Sequence, residues 1–246
     1  MSEIIQWFDS LPRFTRCWLG LSVAFPIVGK FGLFSPMSVM LTPQFITQLQ
    51  LWRPFTATFY YPTGFHYLMN LYFLYHYSLR LETGPEFASK PADYLFLLIF
   101  NWIWSVIFGY FFSIYLLMDS MVLSVLYIWC QFNKEQIVSF WFGIRVKAMY
   151  LPWVLLGFNM LMGGSVMFEI IGIVIGHLYY YTMVKYPAEN GVELIGVPSI
   201  LYDYFPNIQN RVGGFTYVPP TQQQQQQRPT ARGHNWGRGF TLGGGY

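Results

Sequence analysis

Long apolar runs separated by short polar segments fill the chain as far as Lys185. The hydrocarbon core of a bilayer is about 30 Å thick, and an apolar helix needs roughly 20 residues to cross it. Six runs approach that length, and they cover residues 17–34, 64–81, 94–117, 118–132, 148–162 and 165–185. The first run is interrupted by Pro26 and Lys30, and the fourth is short. The pattern predicts an all-α membrane protein in which residues 17–190 form a bundle of six transmembrane helices.

The residues before the first run follow a different pattern. Ile4, Ile5, Phe8 and Leu11 recur at helical spacing among polar residues, which is typical of an amphipathic helix at a membrane surface. The first apolar run is followed by Lys30 and not by the small residues of a signal-peptide cleavage site. We therefore expect residues 1–16 to form an interfacial segment that leads into an uncleaved first helix.

Polar, glycine-rich and proline-rich sequence follows the last apolar run, and it includes six consecutive glutamines at positions 222–227. Such a composition cannot bury enough apolar surface to order itself, so residues 191–246 are predicted to form a flexible tail. Its extreme end nevertheless carries Trp236, Phe240 and Leu242. These side chains are unfavourable in water, and they predict a short peptide that docks on a soluble partner.

The composition supports lipid as the main solvent of the chain. Hydrophobic residues make up 54% of the sequence and charged residues only 10%, whereas soluble domains average about 25% charged residues. The net charge of +3 is dispersed, so no basic run indicates nucleic acid as a partner. Cys17 and Cys130 have no metal-ligand spacing, and they predict neither a metal site nor a disulfide framework.

Lysine and arginine are divided unequally between the two ends of the predicted helices. One side of the membrane receives Arg53, with Lys30 inside or near the end of the first helix. The other side receives nearly all of the remaining basic residues, among them Arg80, Lys90 and Lys134. Because loops rich in basic residues stay in the cytosol, this asymmetry predicts that both termini are cytosolic.

Several polar side chains lie within the predicted helices, where they are costly and therefore mark functional candidates. They are His66, Asn70, Glu82, Asn101, Asn159 and Glu169. Interhelical hydrogen bonds, at about 0.6 kcal/mol each, are the simpler interpretation for the histidine and the asparagines. Glu169 is harder to explain in this way, because a carboxylate at the membrane centre costs about 2.5–3.5 kcal/mol.

Two further features of the sequence concern packing and the long first loop. Gly172 and Gly176 lie four residues apart and remove side chains from one face of the sixth helix, which predicts the close approach of another helix. The connection over residues 35–63 contains Trp52 and Arg53. Trp52 suits a membrane interface, and Arg53 is expected to bind lipid headgroups or a carbonyl of its own loop.

Taken together, these residues resemble the rhomboid intramembrane proteases. The shared features are Trp52-Arg53 in a long first loop, His66-x-x-x-Asn70 at the start of the second helix, Glu82 after it and Gly172-x-x-x-Gly176 in the sixth helix. The resemblance implies a six-helix rhomboid-like transmembrane bundle.

A rhomboid protease also needs a serine in a Gly-x-Ser-Gly motif of the fourth helix and a histidine three residues before the first of the two glycines. Here Ser124 has no flanking glycines, and the histidine position holds Glu169. The Gly163-Gly164-Ser165 sequence lies in the wrong place, just before the sixth helix. Because a serine without a positioned base is a poor nucleophile, we expect no catalytic residue and no enzyme activity.

The sequence is more similar to the derlins, the pseudoprotease branch of the rhomboid-like proteins in the endoplasmic reticulum. The similar segments are LWRPFTATF at 51–59, NLYFLY at 70–75, PADYLF at 91–96 and SFWFG at 139–143. The tail segment WGRGFTL at 236–242 resembles the SHP box of the derlins. In that motif Trp236, Gly237, Gly239, Phe240 and Leu242 are the matching residues.

The resemblance to derlins implies a role in endoplasmic-reticulum-associated degradation without a cofactor. Derlins help misfolded proteins to return to the cytosol, together with membrane-embedded ubiquitin ligases and the valosin-containing AAA ATPase that binds the SHP box. We therefore expect an endoplasmic reticulum membrane protein that works in homo- or hetero-oligomers and binds misfolded substrates. A hydrated groove in a locally thinned bilayer would lower the cost of moving peptide groups through lipid.

Two other functions are compatible with parts of the sequence. One is an intramembrane serine protease that uses Ser124 with an unrecognised base. The other is a passive channel or small-solute transporter, although the sequence shows no inverted repeat and no paired broken helices of the kind that mark transporter sites.

The tail provides the first testable prediction. A synthetic peptide of residues 231–246 is expected to bind the valosin-containing ATPase, because aromatic anchors dominate such interfaces and Gly237 and Gly239 permit close backbone approach. Loss of an anchor costs about 2 kcal/mol or more, so Trp236→Ala combined with Leu242→Ala should abolish binding in a calorimetric titration. Equal affinities of the two peptides, or no binding by either, would remove the tail from the mechanism.

Overall fold

The computed structural model describes residues 2–139, 145–161, 165–192 and 194–207, and these residues are predominantly helical, as predicted. The helices are α1 (Ser2–Asp9), α2 (Arg13–Lys30), α3 (Pro36–Val39), α4 (Gln44–Thr47), α5 (Trp52–Phe59), α6 (Phe65–Phe73, continued by a π-helical turn Leu74–Ser78 and by Leu79–Glu82), α7 (Pro91–Phe111), α8 (Met118–Phe132), α9 (a 3-10 turn Ala148–Tyr150 followed by Leu151–Leu161), α10 (Val166–Tyr180, continued by a π-helical turn Tyr181–Lys185 and by Tyr186–Asn190) and α11 (Ser199–Tyr204).

A short two-stranded sheet accompanies the helices. Strands β1 (Ile137–Ser139) and β2 (Arg145–Lys147) pair antiparallel, with Val138 opposite Val146. Their β-branched residues favour extended structure, and an ion pair of 2.7 Å joins Lys147 Nζ to Glu135 Oε2 beside them. The Lys147 ammonium lowers the pKa of the exposed Glu135 carboxyl. These strands follow the end of α8, between two apolar runs.

The helix lengths differ from those of the apolar runs. In the described part of the chain, Pro91–Phe111 and Val166–Asn190 are long and apolar enough to cross a membrane, whereas Met118–Phe132 and Ala148–Leu161 are shorter apolar helices. The third predicted transmembrane helix, α7, ends at Phe111 and not at residue 117, because Ser113 adopts a positive φ of 54° that ends the helix. The number of membrane crossings stays a prediction.

The long connection over residues 35–63 is folded around Arg53. It contains α3, α4 and α5, and the Arg53 guanidinium is 6% exposed at their junction. Nη1 donates to the carbonyls of Met37 and Met40 at 2.6 and 3.1 Å. The side-chain oxygens of Gln44 and Gln50 accept the other hydrogen bonds of the guanidinium. Arg53 therefore binds carbonyls of its own loop, one of the two roles considered for it.

Helix α8 lies at the centre of the bundle, and every residue from Met118 to Cys130 is buried. Helix α10 packs along it in parallel, with Gly172 beside Ser120 and Gly176 beside Ser124. A Cβ atom at Gly172 would lie 2.9 Å from the Ser120 carbonyl oxygen, and one at Gly176 would lie 2.8 Å from the Ser124 carbonyl oxygen. Both distances are too short for any side chain, so the two helices touch backbone to backbone.

The carboxylate of Glu82 caps the beginning of α2. The Glu82 carboxylate accepts from the backbone N–H groups of Phe14 and Thr15 at 3.1 and 2.7 Å, and from Thr15 Oγ1 at 2.7 Å. Because the Thr15 hydroxyl donates its proton to Glu82, Thr15 Oγ1 accepts a hydrogen bond from Ser78 Oγ at 2.8 Å. Ser78 Oγ in turn accepts a hydrogen bond from the Tyr94 hydroxyl at 2.7 Å. This chain of donors satisfies free N–H groups of α2 and joins α2, α6 and α7.

Helix α11 falls within the segment that the sequence assigns to the tail. The Tyr202 hydroxyl donates to Asp93 Oδ1 at 2.7 Å, and the Phe205 ring packs 5.3 Å from the Phe14 ring. Residues 199–205 therefore pack on the beginnings of α2 and α7. Residues 208–246 lie outside the described residues, and with them the whole of the predicted ATPase-binding peptide.

The backbone contact of α8 with α10 leads to a test of packing. Gly172→Ala and Gly176→Ala should each destabilise the protein by about 1–3 kcal/mol, because the added methyl group overpacks a backbone contact. Gly157→Ala in α9 is the matched control, since a Cβ there meets no atom within 4 Å. This control should be neutral or stabilising, because alanine favours helix over glycine by about 1 kcal/mol. Thermal unfolding in detergent measures all three variants, and equal midpoints would disprove the close contact.

Candidate functional site

A cavity of about 410 Å³ lies between α6, α8, α9 and α10. It is located at the end of the bundle where α6, α8 and α10 begin and where α9 ends. Its polar lining residues are Tyr61, His66, Asn70, Asp119, Asn159, Ser165 and Glu169. Phenylalanine, leucine, methionine and valine side chains form the remaining walls. The cavity thus collects four of the six polar residues that the sequence singles out, which are His66, Asn70, Asn159 and Glu169.

Asp119 joins the two polar residues of α6. His66 Nε2 lies 3.0 Å from Asp119 Oδ1, and Asn70 Nδ2 donates to the same oxygen at 2.5 Å. His66 and Asn70 can share this oxygen because residues four apart lie on one face of a helix. Asp119 occupies the first turn of α8, where the partial positive charge of a helix N-terminus favours a carboxylate. Asp119 is 5% exposed, so these contacts are its main polar environment.

Glu169 forms the second carboxylate of the cavity, on the wall made by α10. Asn159 Nδ2 at the end of α9 donates to Glu169 Oε1. Glu169 Oε2 is buried and has no hydrogen-bond partner among the described residues, and the residue is only 7% exposed. A buried acceptor that lacks a donor costs about 1–3 kcal/mol. The arrangement therefore leaves one strong acceptor unsatisfied at the cavity wall.

The cavity opens near the beginning of α6. The His66 side chain is 39% exposed, and Phe65 beside it is 50% exposed. No lysine or arginine is found among the lining residues, so His66 is the one group there that is able to carry positive charge. The site is consequently acidic inside apolar walls. It is suited to holding hydrogen-bond donors or cations.

The remaining predicted residues lie away from the cavity. Trp52 is 55% exposed on α5, where it suits a membrane interface, and Glu82 caps α2 at the opposite end of the bundle. The interhelical hydrogen bond expected for Asn101 is not observed. Asn101 is fully buried, and both of its side-chain polar atoms lack a partner among the described residues. Nothing in the structure explains this residue.

No protease geometry is present in the described part of the chain. Ser124 is fully buried and donates to the Met121 carbonyl at 2.8 Å, while its own backbone contacts Gly176. The face of α8 that lines the cavity with His66, Asn70 and Glu169 carries Asp119, and Ser124 is not among the lining residues. Ser165 lines the cavity, yet no described serine hydroxyl is hydrogen-bonded to a histidine or to a carboxylate.

Asp119 is the functional residue that the sequence interpretation omits. It is a carboxylate within an apolar run, so the rule that singles out Glu169 applies to it equally. Its position at the very start of the run makes it look like a loop residue. The structure shows that the loop before α8 folds back onto the bundle, because Leu117 N donates to the Ala57 carbonyl at 3.0 Å. This contact places Asp119 inside the bundle, where it lines the cavity.

Comparison with known proteins identifies the family. Residues 11–199, more than half of the chain, match the model of the Der1-like family. The chain belongs to the Der1-like family. It is 52% identical to a Derlin-1 from Pongo abelii over 99% of both chains, and 44% identical to one from Caenorhabditis elegans over 98% of this chain and 99% of the relative. It is 30% identical to a Derlin-1 from Arabidopsis thaliana, over 81% of this chain and 76% of the relative.

Membership of the Der1-like family agrees with the helical structure. The match includes all four helices that line the cavity, because they fall within residues 11–199. Together with the apolar helices, it indicates a membrane-associated protein. Among the described residues, no group of three or more His, Cys, Asp or Glu side chains is placed to hold a metal ion.

The geometry of Ser124 generates a test of serine chemistry. A fluorophosphonate probe should label the purified protein no more than it labels the Ser124→Ala variant, because no base is positioned to activate the hydroxyl. The Ser165→Ala variant is the matched control, since Ser165 lines the cavity. An active rhomboid protease serves as the positive control. Labelling that disappears in either variant would demonstrate an activated serine.

Proposed function

We propose that this chain is a non-catalytic component of endoplasmic-reticulum-associated degradation, which assists the return of misfolded proteins to the cytosol. The observation that carries the proposal is the polar cavity of about 410 Å³ inside a bundle of apolar helices. The family match and the likeness to Derlin-1 proteins over nearly the whole chain support it. Glu169 at the position where a rhomboid protease needs a histidine, together with a Ser124 hydroxyl that donates to the Met121 carbonyl, supports the absence of catalysis.

The cavity lowers the barrier for a polypeptide in the membrane. An unpaired backbone group in hydrocarbon costs several kcal/mol, and the cavity offers hydrogen-bonding partners on all four of its helices. Helix α8 has 15 residues, and the α-helical part of α9 has 11. Helices this short are accommodated by thinning of the surrounding bilayer or by association with other helices. A thinner bilayer beside a polar cavity shortens the apolar path that the substrate must cross.

Other partners supply the energy and the substrate tag. The chain contains no phosphate-binding loop, so the work of extraction comes from the valosin-containing AAA ATPase bound to residues 236–242 of the cytosolic tail. A membrane-embedded ubiquitin ligase complex marks the substrate. The protein acts in the endoplasmic reticulum membrane with both termini in the cytosol, and in homo- or hetero-oligomers.

Blocking the cavity after the protein has folded tests this function. Phe65→Cys places a thiol at the cavity mouth, in a background where Cys17 and Cys130 are replaced by serine and alanine. Modification with a bulky thiol reagent should then reduce the release of a misfolded lumenal protein from microsomes several-fold. The matched control is Ile137→Cys, because Ile137 is exposed on β1 and does not line the cavity.

The release assay has one decisive comparison. The modified Ile137→Cys protein should release substrate at the unmodified rate, since its reagent lies away from the cavity. Equal release by the modified and unmodified Phe65→Cys proteins would contradict a role of the cavity in substrate passage.

A further inference from the structure

The cavity contains two carboxyl groups, but among its lining residues only His66 can carry positive charge. Asp119 and Glu169 both line it, whereas its lining includes no lysine or arginine. His66 contacts Asp119 and is partly exposed at the mouth. Even a charged His66 leaves one carboxylate without a counter-ion in apolar surroundings. Charged groups inside a membrane usually pair with one another, so a cationic group from outside the chain would complement these carboxyl groups.

Glu169 shows where that cation would bind. Its Oε1 is occupied by Asn159 Nδ2, but Oε2 is buried and accepts no hydrogen bond from any described residue. The residue is more than nine-tenths buried, and it lines the cavity. Glu169 therefore lines a space large enough for a ligand, since small-molecule sites begin at about 300 Å³, and one of its oxygens still lacks a donor among the described residues.

The walls of the cavity define the rest of the ligand. Phe65 and Phe73 of α6, Leu126 of α8, and Leu155 and Phe158 of α9 are among the apolar side chains that line the cavity. These side chains complement an apolar stem, and the carboxylates complement a cationic head. Lysine and arginine have this form, because their methylene stems pack on apolar surface while the charged group reaches polar partners.

We propose that the cavity binds a lysine or arginine side chain carried within an otherwise apolar transmembrane segment of the substrate. Its charged head donates to Glu169 Oε2 and to the Asp119 carboxylate. A basic side chain is stable inside a membrane only when it is paired with another group. A transmembrane segment that has lost its proper partner therefore carries an unpaired basic side chain. The inference rests on the proposed function and names the class of substrate that the cavity selects. A neutral backbone N–H needs one acceptor and leaves the second carboxylate unexplained.

Binding of model helices to the purified full-length chain in nanodiscs tests the inference without the ATPase or the ligase. The probes are single-spanning peptides of about 20 leucines, with a central lysine, arginine, glutamate or no substitution. The lysine and arginine peptides should bind at least about tenfold more tightly than the leucine peptide. The glutamate peptide should bind more weakly than the leucine peptide, because its charge repels both carboxylates.

Two cavity variants and one control identify the carboxylates. Glu169→Gln and Asp119→Asn keep the shape of the side chains and should abolish the preference for lysine. Glu135→Gln removes an exposed carboxylate on the loop before β1, and it should keep the full preference. Retention of leucine-peptide affinity shows that a variant is folded, and the order of the four peptides on the unaltered chain is decisive without any variant.

Equal binding of the lysine, leucine and glutamate peptides would overturn the inference. A lysine preference that persists in both cavity variants would overturn it as well, because the cation would then bind elsewhere. Neither result affects the proposed function, which depends on whether a blocked Phe65→Cys protein still releases the misfolded lumenal protein. Loss of that release with no lysine preference would leave a cavity that passes substrates without selecting their charge.

Discussion

The contact of α10 with α8 through Gly172 and Gly176 is the constraint on which the rest of the structure depends. It brings two backbones together along a helix that is buried on every side. Lipid offers no hydrophobic drive for helices to associate, so close packing of small residues is the means available. Because Gly172 lies beside Ser120, the parallel register also places Glu169 and Asp119 on the same cavity. A packing motif thus fixes the geometry of a polar site.

The carboxylates at the two ends of the bundle have different hydrogen-bonding environments. Glu82 accepts three hydrogen bonds from Phe14 and Thr15, and a further line of hydroxyl groups supports it. At this end the carboxylate has a structural role, because its hydrogen bonds and those of the hydroxyl groups join α2 to α6 and α7. Glu169 at the other end accepts one side-chain hydrogen bond and keeps one oxygen free. A buried polar group without a partner destabilises the folded state, and the proposed cationic ligand would supply the missing donor at this end.

The sequence predicts the helical class and the polar residues better than it predicts their roles. Periodicity and spacing suffice for His66, Asn70 and Gly172, because i to i+4 relations are local. They cannot distinguish Glu82, which is held by a helix far away in sequence, from Glu169, which lines a cavity and keeps one oxygen without a donor in the described part of the chain. Asp119 is missed because its burial depends on a loop folding back over it. Helix ends such as Phe111 are set by turn geometry at Ser113, which composition does not reveal.

The arrangement of the same four helices is unfavourable for serine hydrolysis and favourable for hydrogen-bond donors. A serine nucleophile needs a base within hydrogen-bond reach, but Ser124 is turned towards the Met121 carbonyl and a carboxylate occupies the position that faces His66 and Asn70. A carboxylate at that position repels the developing negative charge of a tetrahedral intermediate, which a protease must stabilise. The same charge attracts cations and N–H donors in their ground state. The proposed function therefore depends on affinity for donors in their ground state and not on stabilisation of a transition state.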